Sequence, residues 1–254
     1  MITSITKKKI FYTVLFLIAA ITTTTVVKKN GELKKPVIGM MNGWHPFMTF
    51  NAEKNRFEGF DIDVVKELEK ELGIQFEIRD LGSLDSLFIA LEQGSIDIIM
   101  SGLDITNKRK EKYHMICYAG SPSNTVSYVS KKEIHDIINS SICIEGGSSI
   151  SDLPATLGIK KIIYTCSLSE MIMNIEYEKT DGIIVENHVA ETILQSKPLW
   201  YTKKIEVPEE FRIDGMGILL KKNNTTLAPL LEKAIKKLRI QNIIQKLESK
   251  WNIV

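Results

Sequence analysis

The chain has 254 residues, 44% hydrophobic and 25% charged, an ordinary globular composition that fits neither a disordered chain nor a coiled coil. Its 33 basic and 31 acidic residues leave a formal net charge of +2 and form no basic stripe, which argues against a nucleic-acid partner. Three cysteines exclude a disulfide framework. One bridge between Cys143 and Cys166, on or beside two predicted strands, has room in an oxidising compartment; buried free thiols are the alternative.

Lys7, Lys8 and Lys9 precede an apolar run at residues 10–21, the charged and apolar regions of a secretory signal. The uncharged stretch continues to Val27, long enough to cross a bilayer, with no clean small-residue cleavage site. Residues 1–27 are therefore expected to be a signal peptide or, if retained, an N-terminal anchor. Either places the remainder in the periplasm or on the extracytoplasmic face. No cysteine precedes Cys117, so a lipoprotein anchor is excluded, and residues 28–36 are polar and end at Pro36, as a linker does.

From Pro36 strand and helix signals alternate. Residues 36–41 form a short apolar strand, and residues 61–73 place Ile62, Val65, Leu68 and Leu72 on one helical face, with Asp61 as N-cap and Gly73 past the end. A half-buried strand at 74–79, a helix from Ser83 to Gly94 and a central strand at 96–100 complete βαβαβ, the pattern of a parallel sheet covered by helices. The alternation repeats further on: strands at 141–145, 161–164 and 182–185, with helices at 148–158, from the capping box Ser167–Glu170, and at 186–195. Residues 124–130 and 215–222 are strands linking the two halves, and two amphipathic helices close the chain. The expected fold class is α/β with two lobes, each a mainly parallel sheet flanked by helices. Lobe 1 covers 37–122 and 214–254, and lobe 2 covers 123–213.

Open α/β sheets bind ligands at the carboxyl ends of their strands, where helix N-termini present free N–H groups. Residues 101–110, SGLDITNKRK, follow such a strand; Thr106 can cap a short helix that carries Arg109, whose guanidinium suits a carboxylate. Within this basic run a solvated surface arginine is the alternative. Gly146 and Gly147 before Ser148 and Ser149 make a second anion signal at a helix start. Glu186 closes the strand at 182–185, where it either holds an ammonium or simply begins the next helix. Trp44 in GWHPF can wall an apolar ligand. No metal-ligand or nucleophile–base spacing appears, so neither a metal nor a cofactor is expected.

In this order GWHPF, FEGFDIDVVKELEKELG, LDSLFIALEQGSIDIIMSGLDITNKRKEK, CIEGGSS, KTDGIIVE and LESKW resemble the amino-acid-binding proteins of ABC importers, the family 3 solute-binding proteins. The spacing also resembles the arginine-binding members of chlamydial bacteria. The resemblance implies a two-lobed periplasmic-binding-protein type II fold joined by two hinge strands. It implies a monomer that closes on a free amino acid and passes it to an ABC permease in the membrane. It assigns the ligand carboxylate to Arg109, Ser149, Ser148 and the backbone of Asp104, and the ammonium to Glu186, Asp104 and the Gly102 carbonyl. The side-chain pocket would be Trp44, Asn42, Phe60, Leu103 and Ser101.

Two departures from the family pattern stand out: SGLDIT carries Asp104 where a hydroxyl is usual, and MICYAG replaces an aromatic-rich turn near Tyr118. Two carboxylates beside one ammonium lean the pocket negative, favouring a cationic amino acid such as arginine, unless Asp104 turns away to cap Thr106 or pair with Lys108. The alternatives are a periplasmic lyase resembling cyclohexadienyl dehydratases, with Glu186 as general acid, and a membrane-tethered amino-acid sensor.

Overall fold

The computed structural model describes residues 35–133 and 135–253; the expected signal or anchor at 1–27 lies outside them. Strand β1 (Val37–Met40) is buried along its whole length and alternates between two cores. Ile38 and Met40 join one cluster, Val37 and the following Met41 the other, as a central strand covered on both faces requires. The hairpin β2 (Thr49–Asn51) and β3 (Arg56–Glu58) leads into α1 (Phe60–Leu72). Then come β4 (Glu77–Asp80), α2 (Leu84–Gln93), β5 (Ile98–Ile99) and α3 (Asn107–Lys112). A long strand, β6 (Tyr113–Ser123), carries the chain into the second half.

That half contains β7 (Thr125–Ser130), β8 (Ser141–Glu145), α4 (Leu153–Thr156), β9 (Lys161–Thr165), α5 (Leu168–Glu176), β10 (Gly182–Val185), α6 (Asn187–Ser196) and β11 (Tyr201–Glu206). The chain returns through β12 (Ile213–Lys221) and ends in α7 (Leu227–Ile240) and α8 (Ile243–Trp251). One sheet has the order β4-β1-β5-β12-β6 and the other β11-β7-β10-β8-β9. Each is one lobe. The first packs α1, α7 and α8 on one face and α2 on the other; the second packs α5 and α6 against one face and α4 against the opposite one.

The sheets are more mixed than expected. In each, two pairings are parallel and two antiparallel. The physical reason is the crossing between lobes: β12 and β7 each enter a sheet directly from the other lobe, without the crossover helix that a parallel neighbour needs. β6 and β12 form one antiparallel ladder from Tyr113↔Lys221 to Ser123↔Ile213, so both crossings lie side by side.

Local signals agree with the structure at most helix ends and fail at two. Gly73 and Gly94 close their helices in the left-handed conformation, and Ser83 and Ser167 accept from Ser86 N and Glu170 N. Asp61, expected as an N-cap, is instead the second residue of α1; Gly59 precedes the helix at φ 148, where a Cβ would stand 2.0 Å from the Phe47 carbonyl oxygen. Helix α4 is one turn long because Gly147 is left-handed at φ 76 and residues 146–152 form turns. The expected helix at 148–158 therefore does not begin at Ser148 and Ser149, and its dipole does not stand directly behind them. Strands β2, β3, β6 and β11 go beyond the expected elements: β11, YTKKIE, is a mostly exposed edge strand with little apolar patterning.

The three cysteines are free thiols. Cys143 is buried beside Thr165 Oγ1 and Asn174 Nδ2, Cys166 is exposed, and Cys117 Sγ accepts from Arg239 Nη2 at 3.2 Å.

Candidate functional site

The carboxyl ends of β1, β5, β8 and β10 face a common narrow cleft. Met41 and Trp44 follow β1, and Ser101, Gly102, Leu103 and Asp104 follow β5. From the other lobe, Glu145, Ser148 and Ser149 come from β8 and the turn after it, and Glu186 and His188 from the end of β10 and the start of α6. Leu84 and Arg109 complete the lining.

Thr106 caps α3 by accepting from Arg109 N at 3.2 Å, which starts the helix at the residue that brings the guanidinium back over the strand end. Arg109 Nη1 donates to Asp104 O at 2.9 Å and Nη2 to Gly147 O at 3.4 Å, so one side chain ties lobe 1 to lobe 2. Its guanidinium carbon stands 5.6 Å from the centre of the Phe88 ring. Asp104 does not turn away: its carboxylate accepts from Ser149 Oγ at 2.5 Å, while Lys108 pairs instead with Asp152 at 3.2 Å, across the lobes at the cleft rim. The neighbours of Asp104 face the crossing strand, Ile105 N donating to Gly215 O and Gly217 N to Leu103 O. Those bonds make Asp104 the bridge partner of Met216 and leave its own carbonyl free to accept from Arg109.

The electrostatics are dominated by burial. Glu186 sits at the N-cap of α6 but makes no side-chain cap bond; burial first, and then the Asp104 carboxylate with which it shares a hydrogen bond, holds its carboxyl well above the usual range. Burial raises Glu145 to about 7, opposed by Arg109. Arg109 is itself lowered by burial, which Asp104, Glu186 and Glu145 counter. His188 is lowered by burial, favouring the neutral imidazole. Among the described residues five buried side-chain atoms find no hydrogen-bond partner within the protein, and three of them, Glu145 Oε1, Ser148 Oγ and His188 Nε2, belong to this cleft. Buried polar atoms without partners are costly, so their concentration in one place points to a ligand that satisfies them.

Beneath the cleft Asp61 accepts from Tyr118 Oη at 2.6 Å and Gly102 N at 3.0 Å, fixing the turn that carries Gly102. Gly102 itself is at φ 60, and a Cβ there would meet the Phe47 ring at 2.7 Å. Fully buried, Asp61 is pushed up to about 7.

Of the residues singled out in the sequence, Arg109, Asp104, Gly102, Ser101, Leu103, Ser148, Ser149, Glu186 and Trp44 come together here. Two do not. Phe60 is a core residue stacked on Tyr118 and edge-on to Phe47, and Asn42 points outward, its Oδ1 accepting from Phe50 N at 2.9 Å. Sequence reasoning missed Glu145 and His188. Glu145 was legible by the same rule that picked out Glu186, an acidic residue closing a strand, whereas nothing local marked His188.

Residues 37–253 match the family described as bacterial extracellular solute-binding proteins, family 3. The chain belongs to that family. Among curated relatives, the probable ABC transporter arginine-binding protein ArtJ of Chlamydia trachomatis serovar D is 26% identical over 98% of both chains. The arginine-binding extracellular protein ArtP of Bacillus subtilis is 23% identical over 86% of both. Among solved structures, the arginine-, lysine-, histidine-binding protein ArtJ of Geobacillus stearothermophilus superposes with a TM-score of 0.74 at 24% identity, covering 86% of this chain and 95% of that one. This last likeness concerns the fold: a family 3 protein with two lobes and a cleft between them.

Proposed function

We propose that this family 3 protein is the extracytoplasmic binding component of an ABC importer, closing lobe 1 (37–122 and 214–254) and lobe 2 (123–213) on a free L-amino acid with a cationic side chain, arginine foremost. The observation that carries the reading is the cleft itself, in which one guanidinium, Arg109, is surrounded by Asp104, Glu145 and Glu186. Arg109 and the Ser148–Ser149 turn receive the α-carboxylate, Asp104 and Glu186 the α-ammonium, with the Gly102 carbonyl beside them. Such an array rejects ligands that lack either charge. Trp44 packs against cores of both lobes and forms a wall between them.

The test is calorimetric titration of the purified protein with the common L-amino acids. Arginine is expected to bind, and Arg109→Ala to weaken it by roughly 30- to 1,000-fold, the usual effect of removing one partner from a buried charge pair. Unchanged affinity in that variant overturns the assignment. The chlamydial and Bacillus relatives are named as binding proteins, which favours this reading over a lyase with Glu186 as general acid; conversion of prephenate or arogenate to an aromatic product would reverse that preference. Mass spectrometry of the mature N-terminus distinguishes an exported soluble protein from a tethered sensor.

A further inference from the structure

Glu145 has no role in holding the two α-groups of an amino acid. It ends β8, is 5% exposed, and its Oε1 has no partner. Arg109 influences it at a distance, without a hydrogen bond or ion pair between them among the described residues. Asp85, in the first turn of α2 in the opposite lobe, adds a second negative charge nearby: a Cβ placed on Gly147 would lie 3.0 Å from Asp85 Oδ1, and Asp85 opposes ionisation of Glu145. The apolar walls contributed by Met41, Trp44 and Leu84 suit a methylene stem.

Resting on the amino-acid-binding reading above, we propose that Glu145 is the specificity residue of this cleft, its carboxylate receiving the cationic end of the ligand side chain, with Asp85 reinforcing the negative field from the facing lobe. A carboxyl buried in a cleft without a partner keeps its proton until a guanidinium or ammonium stabilises the ionised form. A neutral side chain of the same shape would leave Glu145 protonated and without an ion pair, and the cleft therefore discriminates by charge rather than by size.

The experiment compares L-arginine with L-citrulline, which replaces the guanidinium by a neutral urea on the same stem, in the wild-type protein and in Glu145→Gln, Glu145→Asp and Glu186→Gln. The wild type should prefer arginine by roughly 30- to 1,000-fold. In E145Q that preference should collapse to within about tenfold, chiefly through lost arginine affinity, whereas E145D should retain a preference. E186Q should weaken both ligands by the same factor, since both carry the α-ammonium. Circular dichroism and thermal melting establish that each variant is folded. If E145Q is unfolded, Glu145→Ala takes its place, with the same collapse of the arginine preference expected. An unchanged arginine preference in folded E145Q, equal losses for the two ligands, or no wild-type preference overturns the role of Glu145. Those outcomes leave the binding reading intact, provided that R109A still weakens amino-acid binding. A wild-type protein that binds no amino acid overturns the binding reading itself.

Discussion

Asp104, Glu186 and Glu145 crowd three carboxyl groups around Arg109, and the consequence is a coupling between binding and protons. Burial raises Glu145 to about 7, so it takes up a proton near neutrality, and burial and Asp104 raise Glu186 as well. The ammonium and side-chain cation of a bound arginine favour the ionised carboxylates and lower both groups. Binding at pH 7 therefore releases protons, and affinity for arginine increases as pH rises toward 8. Titration in buffers of different ionisation enthalpy measures the release; zero or inward proton transfer contradicts it. Asp61 gives a second pH dependence with a separate readout. Its folded value of about 7 lies above the ordinary carboxyl value near 4, so the native state holds the extra proton between them. Its contribution makes stability fall as pH rises from about 4 to 7 and then level off. Asp61→Asn, whose Oδ1 can accept from Gly102 N while its Nδ2 donates to Tyr118 Oη, should remove that slope. In urea melts it should gain on the wild type by about 1.4 kcal/mol for each pH unit climbed within that window.

The helix ends show which local rules can be trusted and which need the neighbouring element. Ser83, Thr106 and Ser167 are capping residues by both pattern and structure. Thr106→Ala should cost about 1 kcal/mol of stability, and because the cap sets the start of α3 it should also weaken arginine binding through Arg109. Gly59 looks replaceable in the sequence, yet its φ is 148 and the Phe47 carbonyl oxygen lies 2.0 Å from where a Cβ would stand, which leaves no room for a side chain. Gly59→Ala should lower stability by about 3 kcal/mol or more, read from chemical denaturation. Asp61 misleads for the same reason: Asp at a helix start is a standard cap signal, but here the turn before it is set by contact with Phe47, and the carboxyl is drawn inward by Tyr118.

Across the whole molecule, the lobes are held closed by a short set of polar links: Ser149 to Asp104, Arg109 to Gly147 and Lys108 to Asp152. The hinge is the pair of crossings around Ser123–Thr125 and Glu206–Ile213, adjacent because β6 and β12 share a ladder. A ligand that satisfies Ser148, Glu145 and His188 while touching Arg109 stabilises the closed arrangement selectively. Small-angle scattering should show the radius of gyration decreasing on addition of arginine. Ser149→Ala removes a hydrogen bond to a charged group, worth about 1.5–3 kcal/mol, and should lower apparent affinity by roughly ten- to a hundredfold while leaving the melting temperature without ligand nearly unchanged.

Periodicity, capping residues and apolar runs were enough to establish two α/β lobes, because each of those signals acts over a few residues: β1 and β5 are continuous apolar runs, and Gly73 and Gly94 end helices wherever they lie. Chain position relative to strand ends also marked Arg109, Ser148, Ser149 and Glu186, and the family resemblance marked Asp104. What only the tertiary structure decided is everything that depends on two distant segments meeting. The antiparallel entry of β7 and β12, the burial of Asp61 and Phe60, the outward turn of Asn42, and the unpartnered atoms of Glu145 and His188 arise from contacts between parts of the chain far apart in sequence. Desolvation is the physical reason. A carboxyl group carries no mark in the sequence of whether water will reach it, and in this cleft that difference turns Glu145 from one acidic letter among many into the residue on which charge selection rests.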